Sequence, residues 1–446
     1  MRIRLLHIVI LLFLIMCGTL SAQVPDSYRQ RRETAMDSMR RVREQYEEDY
    51  WRRFRLFEAE RRPMRDKPQY QPVIDTTTDT SHQELRIELQ APLSDTAKNV
   101  TGTMTDYTHG LLRDIYVPFY GLSITFKVPE KLNAIEAVSQ TLAGQLVERQ
   151  KSLQLNDWGL YQLSKQAAVA AFPKDEKSRT SLVVSVMNLL HYDVRMGRFA
   201  KGHLPLVRTN CTVYGLPYIA IGGNRYYADG DLAGNDGNVY CDDIKSTAKV
   251  YPLDMRLMQT PLLGGHPLSF KTKQTGVNSG LIDFFASYPS VDIRIPASAA
   301  VGSGLMKKIR NGFIPSINTE KQVDALNLML SFCQTAFNYR QDMEQFGTER
   351  YFFCEENFAY PANDCEDRAI LFAHMVREYL GLDIVLLDYL DHVATAVCLT
   401  KAPSKGHYIT IDARRYYICD PTFRGARVGQ LDKRFHNKKA KVILTQ

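Results

Sequence analysis

Residues 363–371 read Asn363-Asp364-Cys365-Glu366-Asp367-Arg368-Ala369-Ile370-Leu371, which puts a cysteine where an apolar helix should begin. Asp364 or Asn363 fits the N-cap, because a short polar side chain accepts from the unpaired N–H groups of a first helical turn. Glu366 and Asp367 fit that first turn, and Gly381 fits the end of the helix. Residues 382–387 form an apolar run of strand length. His392-Val393-Ala394-Thr395-Ala396-Val397-Cys398 predicts a second strand, with His392, Ala394, Ala396 and Cys398 on one face. A third apolar run ends in Asp420-Pro421-Thr422, which opens a turn. One helix followed by several short strands points to an α+β fold.

The positions of the three polar residues matter chemically. Only the thiolate attacks a carbonyl, and a free cysteine is mostly thiol at neutral pH. The partial positive charge of a helix N-terminus favours the thiolate. Glu366 and Asp367 oppose it if they point at the sulfur, so a neighbouring imidazolium has to decide the matter, and His392 is the candidate. Asp420 would hold the imidazole by its other nitrogen and fix its tautomer. The order Cys365, His392, Asp420 is that of a nucleophile, its base and an orienting carboxylate. Each residue alone also fits a plain structural role: a buried thiol, a core histidine, a turn carboxylate. Their coincidence in order and in element position carries the chemical reading.

These residues resemble the transglutaminase-like branch of the papain-like superfamily. The resemblance rests on Asp364-Cys365-Glu366-Asp367-Arg368-Ala369, on His392 beginning a strand, and on Tyr416-Tyr417-Ile418-Cys419-Asp420-Pro421-Thr422. It spans residues 300–446. It implies a helix bearing Cys365 packed on an antiparallel sheet, with His392 and Asp420 on neighbouring strands. Members of that family include transamidases, peptidases, amidases and inactive copies, so the resemblance gives machinery and no substrate. In papain-like sites a polar side chain before the nucleophile completes an oxyanion hole with the cysteine's own N–H. Asn363, Gln345 and Tyr360 are the candidates here, alongside a hole made mainly of backbone.

The chain has 446 residues, 45% hydrophobic and 24% charged, with a formal net charge of +7. These values are ordinary for a soluble protein, and no nucleic-acid-binding motif appears. Residues 1–22 read as a signal peptide: Arg2 and Arg4, an apolar run over residues 5–16, then Leu20-Ser21-Ala22 before Gln23. An uncleaved anchor, or lipid attachment at Cys17, are the alternatives, and membrane association would come through this segment alone. The expected location is outside the cytoplasm: periplasm, cell envelope or medium. Residues 23–99 read as a charged helix, with Tyr46, Tyr50, Phe54 and Phe57 near helical spacing, followed by a flexible Thr/Asp/Pro-rich linker. Residues 100–299 form an α+β domain and residues 300–446 the domain with the Cys-His-Asp order. Six further cysteines in an exported chain allow anything from no disulfides to three. No cofactor is implied. Metal-ligand spacing is absent from the sequence, and the turn-rich residues 230–238 lack the terminal glutamate of a calcium loop.

The 100–299 domain carries a worn internal repeat. An apolar helix over residues 179–190 is followed by Asp193, as the later helix is followed by Asp383. His203 falls close to the place of His392, and Arg225-Tyr226-Tyr227 echoes Arg415-Tyr416-Tyr417. No cysteine begins the earlier helix; Ser178 there lacks the acidity of a thiol. The repeat thus describes a degenerate, non-catalytic copy. Three functions remain open on the sequence alone. Hydrolysis of peptide or isopeptide bonds needs only solvent as acceptor. Transamidation would crosslink envelope proteins. An inactive copy would serve as a binding scaffold. The partner in each case is a peptide or protein, and the oligomeric state is open.

Overall fold

A hairpin opens the described fold. In β3 (Leu112–Phe119) and β4 (Leu122–Pro129), burial alternates residue by residue. Ile115, Val117 and Phe119 face inward beside Ile124, Phe126 and Val128. Pro118 does not interrupt the strand, as it pairs with Ser123. The computed structural model describes residues 82–84, 87–89, 111–130, 135–199, 202–230, 240–241, 249–401 and 403–445. The described residues fall in one compact unit within residues 71–446; residues 1–70, and with them the signal-peptide and charged-helix readings, lie outside the described residues. No helix among the described residues is long and apolar enough to cross a membrane.

Two short strands precede the hairpin in sequence, β1 (His82–Glu84) and β2 (Ile87–Leu89). They fall inside the segment expected to be linker. Instead they pair in parallel with the two outer strands of the main sheet. Strand edges carry unpaired N–H and C=O groups, and three-residue segments suffice to cover them without leaving any periodicity in the sequence.

Three helices pack behind the hairpin: α1 (Ile135–Ser152), α2 (Asp157–Ala171) and α3 (Glu176–Leu189). A five-stranded sheet follows, from β5 (Val194–Phe199), β6 (Gly202–Val207), β8 (Tyr218–Ile221), β9 (Asn224–Ala228) and β10 (Tyr240–Cys241), with β7 (Val213–Tyr214) apart from it. Next come the hairpin β11 (Pro267–Phe270) and β12 (Lys273–Asn278), α4 (Ser279–Ala286), β13 (Ser290–Val291), α5 (Arg294–Ser298), α6 (Ser303–Gly312) and α7 (Gln322–Ala336). The last part holds β14 (Asn338–Tyr339), α8 (Asp342–Phe346), β15 (Ala362–Asn363) and α9 (Cys365–Leu380). It ends with β16 (Ile384–Asp388), β17 (Val393–Cys398), β18 (Gly406–Ile411), β19 (Arg414–Cys419) and β20 (Ala440–Leu444). The main sheet runs β1-β18-β19-β17-β16-β20-β2 and is antiparallel except at its two edges. Helices with largely antiparallel sheets make this an α+β protein.

The strand order β5-β6-β9-β8 after α3 recurs as β16-β17-β19-β18 after α9. The registers match as well. Tyr218 pairs with Tyr227 and Ile219 with Tyr226; Tyr408 pairs with Tyr417 and Ile409 with Tyr416. Val207 pairs with both Val194 and Tyr227, as Val397 pairs with Ile384 and Tyr417. Gly222 and Gly223 turn one hairpin at positive φ, and Asp412 and Ala413 do so in the other. Followed through this register, the counterpart of Val393 is His203, and that of His392 is Gly202: Arg198 pairs with His203 as Asp388 pairs with Val393. His203 therefore stands one residue away from the place the sequence comparison gave it.

One apolar cluster runs from Ile115 to Ile443 and joins both halves of residues 100–446. Phe285 of α4 stacks on Phe353, with centroids 4.4 Å apart. The helix α9 buries Ile370, Phe372, Ala373 and Val376 in this cluster, with Val393 and Val397 from the near face of β17. Ala394 and Ala396, on the far face, pack under Leu431 and Phe435. The small residues beside His392 thus make room for the chain's own C-terminal segment.

Candidate active site

The helix α9 starts where the sequence predicts. Asp364 is its N-cap, and it forms a capping box with Asp367. Cys365 is therefore the first helical residue, 6% exposed. The backbone ahead of it is held by the β14–β15 pair, in which Tyr339 lies opposite Asn363.

The sulfur meets two groups. Cys365 Sγ donates to Glu366 Oε2 at 2.8 Å, and the backbone N–H of Val393, the residue after His392, also bonds to it. Burial pushes the thiol well up, and Glu366 and Asp364 push it further. Glu366 thus points at the sulfur and outweighs the helix N-terminus. Glu366→Gln is expected to raise iodoacetamide labelling of Cys365 at pH 7 roughly tenfold and move the pH midpoint downward. Mass spectrometry of the labelled peptide across pH checks this; an unmoved profile would show that Glu366 does not hold the proton.

His392 is fixed on two sides. Its Nε2 bonds Asp420 Oδ2 at 2.8 Å, and Phe435 stacks on its ring with centroids 4.9 Å apart. Asp420 is fully buried, and its Oδ1 accepts the N–H groups of Thr422 and Phe423, each at 2.9 Å. That turn is why Asp-Pro-Thr follows β19. Nε2 is committed to Asp420, so Nδ1 is the nitrogen that can take a proton. Gln334 on α7 clamps the same turn, donating to the carbonyls of Asp420 at 2.9 Å and Ala426 at 3.1 Å. It accepts Gly425 N–H at 3.0 Å. Lying far upstream in sequence, it gives no local signal.

A cleft of about 630 Å³ opens at this pair, lined among others by Tyr339, Arg368, His392, Asp420, Phe423 and Arg424. Cys365 lies beside the cleft rather than in its lining. Tyr339 is near enough to Cys365 that a thiolate there would oppose ionisation of the phenol.

The three side chains expected to complete an oxyanion hole are spent elsewhere. Asn363 donates to Asn357 Oδ1 at 2.6 Å and accepts from Arg368 Nε at 2.8 Å. Gln345 donates to Ala362 O at 3.2 Å. Tyr360 packs on Phe346 and Phe352 and bonds to Arg350. The alternative, a hole made mainly of backbone, would draw on the N–H of Cys365 itself at the start of α9.

Beneath α9, Asp342, Asp364 and Asp367 bring carboxylate oxygens within 4.8 Å of one another, all buried. Burial pushes all three carboxyls up, and neighbouring carboxylates add to it: Glu349 and Glu366 at Asp342, Asp367 and Glu366 at Asp364, Asp342 and Glu366 at Asp367. Among the described residues this is the one group with the spacing of a cation site. Its oxygens already accept backbone N–H groups of Arg350, Asp367, Phe352 and Asp364. The described cysteines are all free thiols.

Comparison of the chain with protein-family models, with curated proteins and with solved structures finds no match.

Proposed function

We propose that this protein is an exported cysteine hydrolase of peptide or isopeptide bonds, built on a transglutaminase-like domain. The observation that carries the reading is the His392–Asp420 pair at the strand edge whose next N–H touches Cys365 Sγ. A cysteine-bearing helix packed on an antiparallel sheet, as that family resemblance implies, supports it. The leader-like residues 1–22 support export to the periplasm, cell envelope or medium.

The chemistry follows from these groups. Cys365 Sγ attacks the carbonyl carbon as its proton passes to His392 Nδ1. Charge on the carbonyl oxygen is met by backbone N–H groups at the start of α9. The amine leaves with the proton from His392 as the C–N bond breaks, giving a thioester. Water then attacks, its proton goes to His392, and the acid departs as the thiol is restored. An amine in place of water would make the same site a transamidase.

An electrophilic peptide probe is expected to attach to Cys365 of the purified protein, and Cys365→Ala to abolish the adduct with little change in folding. Added primary amine then separates the acceptors: a hydrolase yields acid, a transamidase amide. A second reading, an inactive binding domain, is favoured by one feature, the neutral thiol turned to Glu366. Absence of labelling under reducing conditions, in Glu366→Gln as well, would replace the hydrolase by that reading.

A further inference from the structure

The cleft beside His392 holds more positive charge than its own carboxylates answer. Asp391 is taken by Lys438 at 2.8 Å, Asp420 by His392, and Arg434 is paired with Asp432 at 2.8 Å. Two lining guanidinium groups remain. Arg368 is 3% exposed, and its bonds go to neutral acceptors, Asn363 Oδ1 at 2.8 Å and Phe337 O at 3.2 Å. Arg424 is exposed and has no ion-pair partner among the described residues. A buried guanidinium without a carboxylate is costly, and five donors in a planar fork match a carboxylate.

We infer that Arg368 and Arg424 receive a carboxylate, so the preferred substrate is an anionic peptide with its carboxylate next to the scissile amide. The placement follows from the helix. Arg368 lies three residues after Cys365, hence one turn further along the same face. An anion at Arg368 sits within about one residue of the carbonyl that Cys365 would attack. Tyr339, with the Arg368 guanidinium 5.4 Å from its ring centroid, and half-exposed Phe423 supply apolar walls for the peptide's stem. An acidic side chain and a C-terminal carboxylate share this chemistry.

The inference rests on the proposed hydrolase for the identity of the scissile bond, and the test separates the two. Three electrophilic peptide probes are used on the full chain: an acidic side chain with amidated C-terminus, a neutral peptide with free C-terminus, and a neutral amidated peptide. At least one carboxylate probe is expected to label Cys365 about tenfold faster than the neutral amide, and which one identifies the source. The preference should shrink with added salt and collapse in Arg424→Glu. Equal labelling by all three in the unaltered protein overturns the inference and leaves the hydrolase standing. If no probe reacts, fluorescent versions are titrated into Cys365→Ala protein. Tighter binding of a carboxylate peptide, lost in Arg424→Glu, keeps the inference while the hydrolase falls; equal binding overturns it.

Discussion

Asp420→Asn is expected to slow acylation of Cys365 by a factor on the order of 10⁴ in a protein that still folds. The argument turns on which way the new amide points. Oδ1 of residue 420 must keep accepting from the N–H groups of Thr422 and Phe423, both at 2.9 Å. Reversing the amide would set its NH₂ against two donors. The Nδ2 group therefore faces His392 Nε2 and donates where Asp420 now accepts. The imidazole must answer with a lone pair on Nε2, which moves its proton to Nδ1 and removes the base. Asp420→Ala differs: it loses both turn bonds as well, so it should cost stability and rate together. Single-turnover labelling with an electrophilic peptide, read beside thermal melts, tells the variants apart. Equal acylation rates in Asp420→Asn and the unaltered protein would take this carboxylate out of the chemistry.

The parts of the site readable in sequence are those fixed by local rules. Asp364 caps α9 because a short acceptor before an apolar run has few other uses there. His392 stands one residue ahead of β17, where the sequence places the start of a strand. Asp420 closes β19 because its carboxylate folds onto the N–H groups that follow. The failures are choices made across the fold. Asn363 looked like an oxyanion donor from its place beside Cys365, but Arg368 and Asn357 consume its amide. Glu366 was known to border the sulfur, yet only side-chain packing decides that it points there. Gln334 reaches the Asp420 turn from a distant helix. The strands β1 and β2 are too short for any pattern to declare them. The repeat was visible through Arg-Tyr-Tyr, and strand pairing was needed to find that His203 stands for Val393.

Stability is expected to fall as pH rises from about 5 to 8, the reverse of the trend set by salt-bridged carboxylates. Glu355 is buried with Gly302 N–H as its partner at 3.1 Å, and burial pushes its carboxyl up to about 7. Glu356 also reaches about 7, pushed up by burial against the opposing pull of Arg350. Asp342, Asp364 and Asp367 are raised too, through burial and their neighbours' charges. An unfolded carboxyl releases its proton near pH 4. Between that value and about 7 the folded chain holds protons that the unfolded chain has lost. The stabilisation is complete below about pH 4 and disappears as pH climbs through the folded values. For Glu355 alone the shift corresponds to roughly 3 kcal/mol. Glu355→Gln should therefore melt several degrees higher than the unaltered protein at pH 8 and gain little at pH 5. Asp364→Asn should flatten the same slope, since asparagine caps a helix as well as aspartate does. A melting temperature that climbs from pH 5 to 8 in the unaltered protein would mean these carboxylates are ionised and compensated in solution. In that case the carboxyls at the start of α9 are not neutral in the folded chain, and their charge bears directly against a Cys365 thiolate.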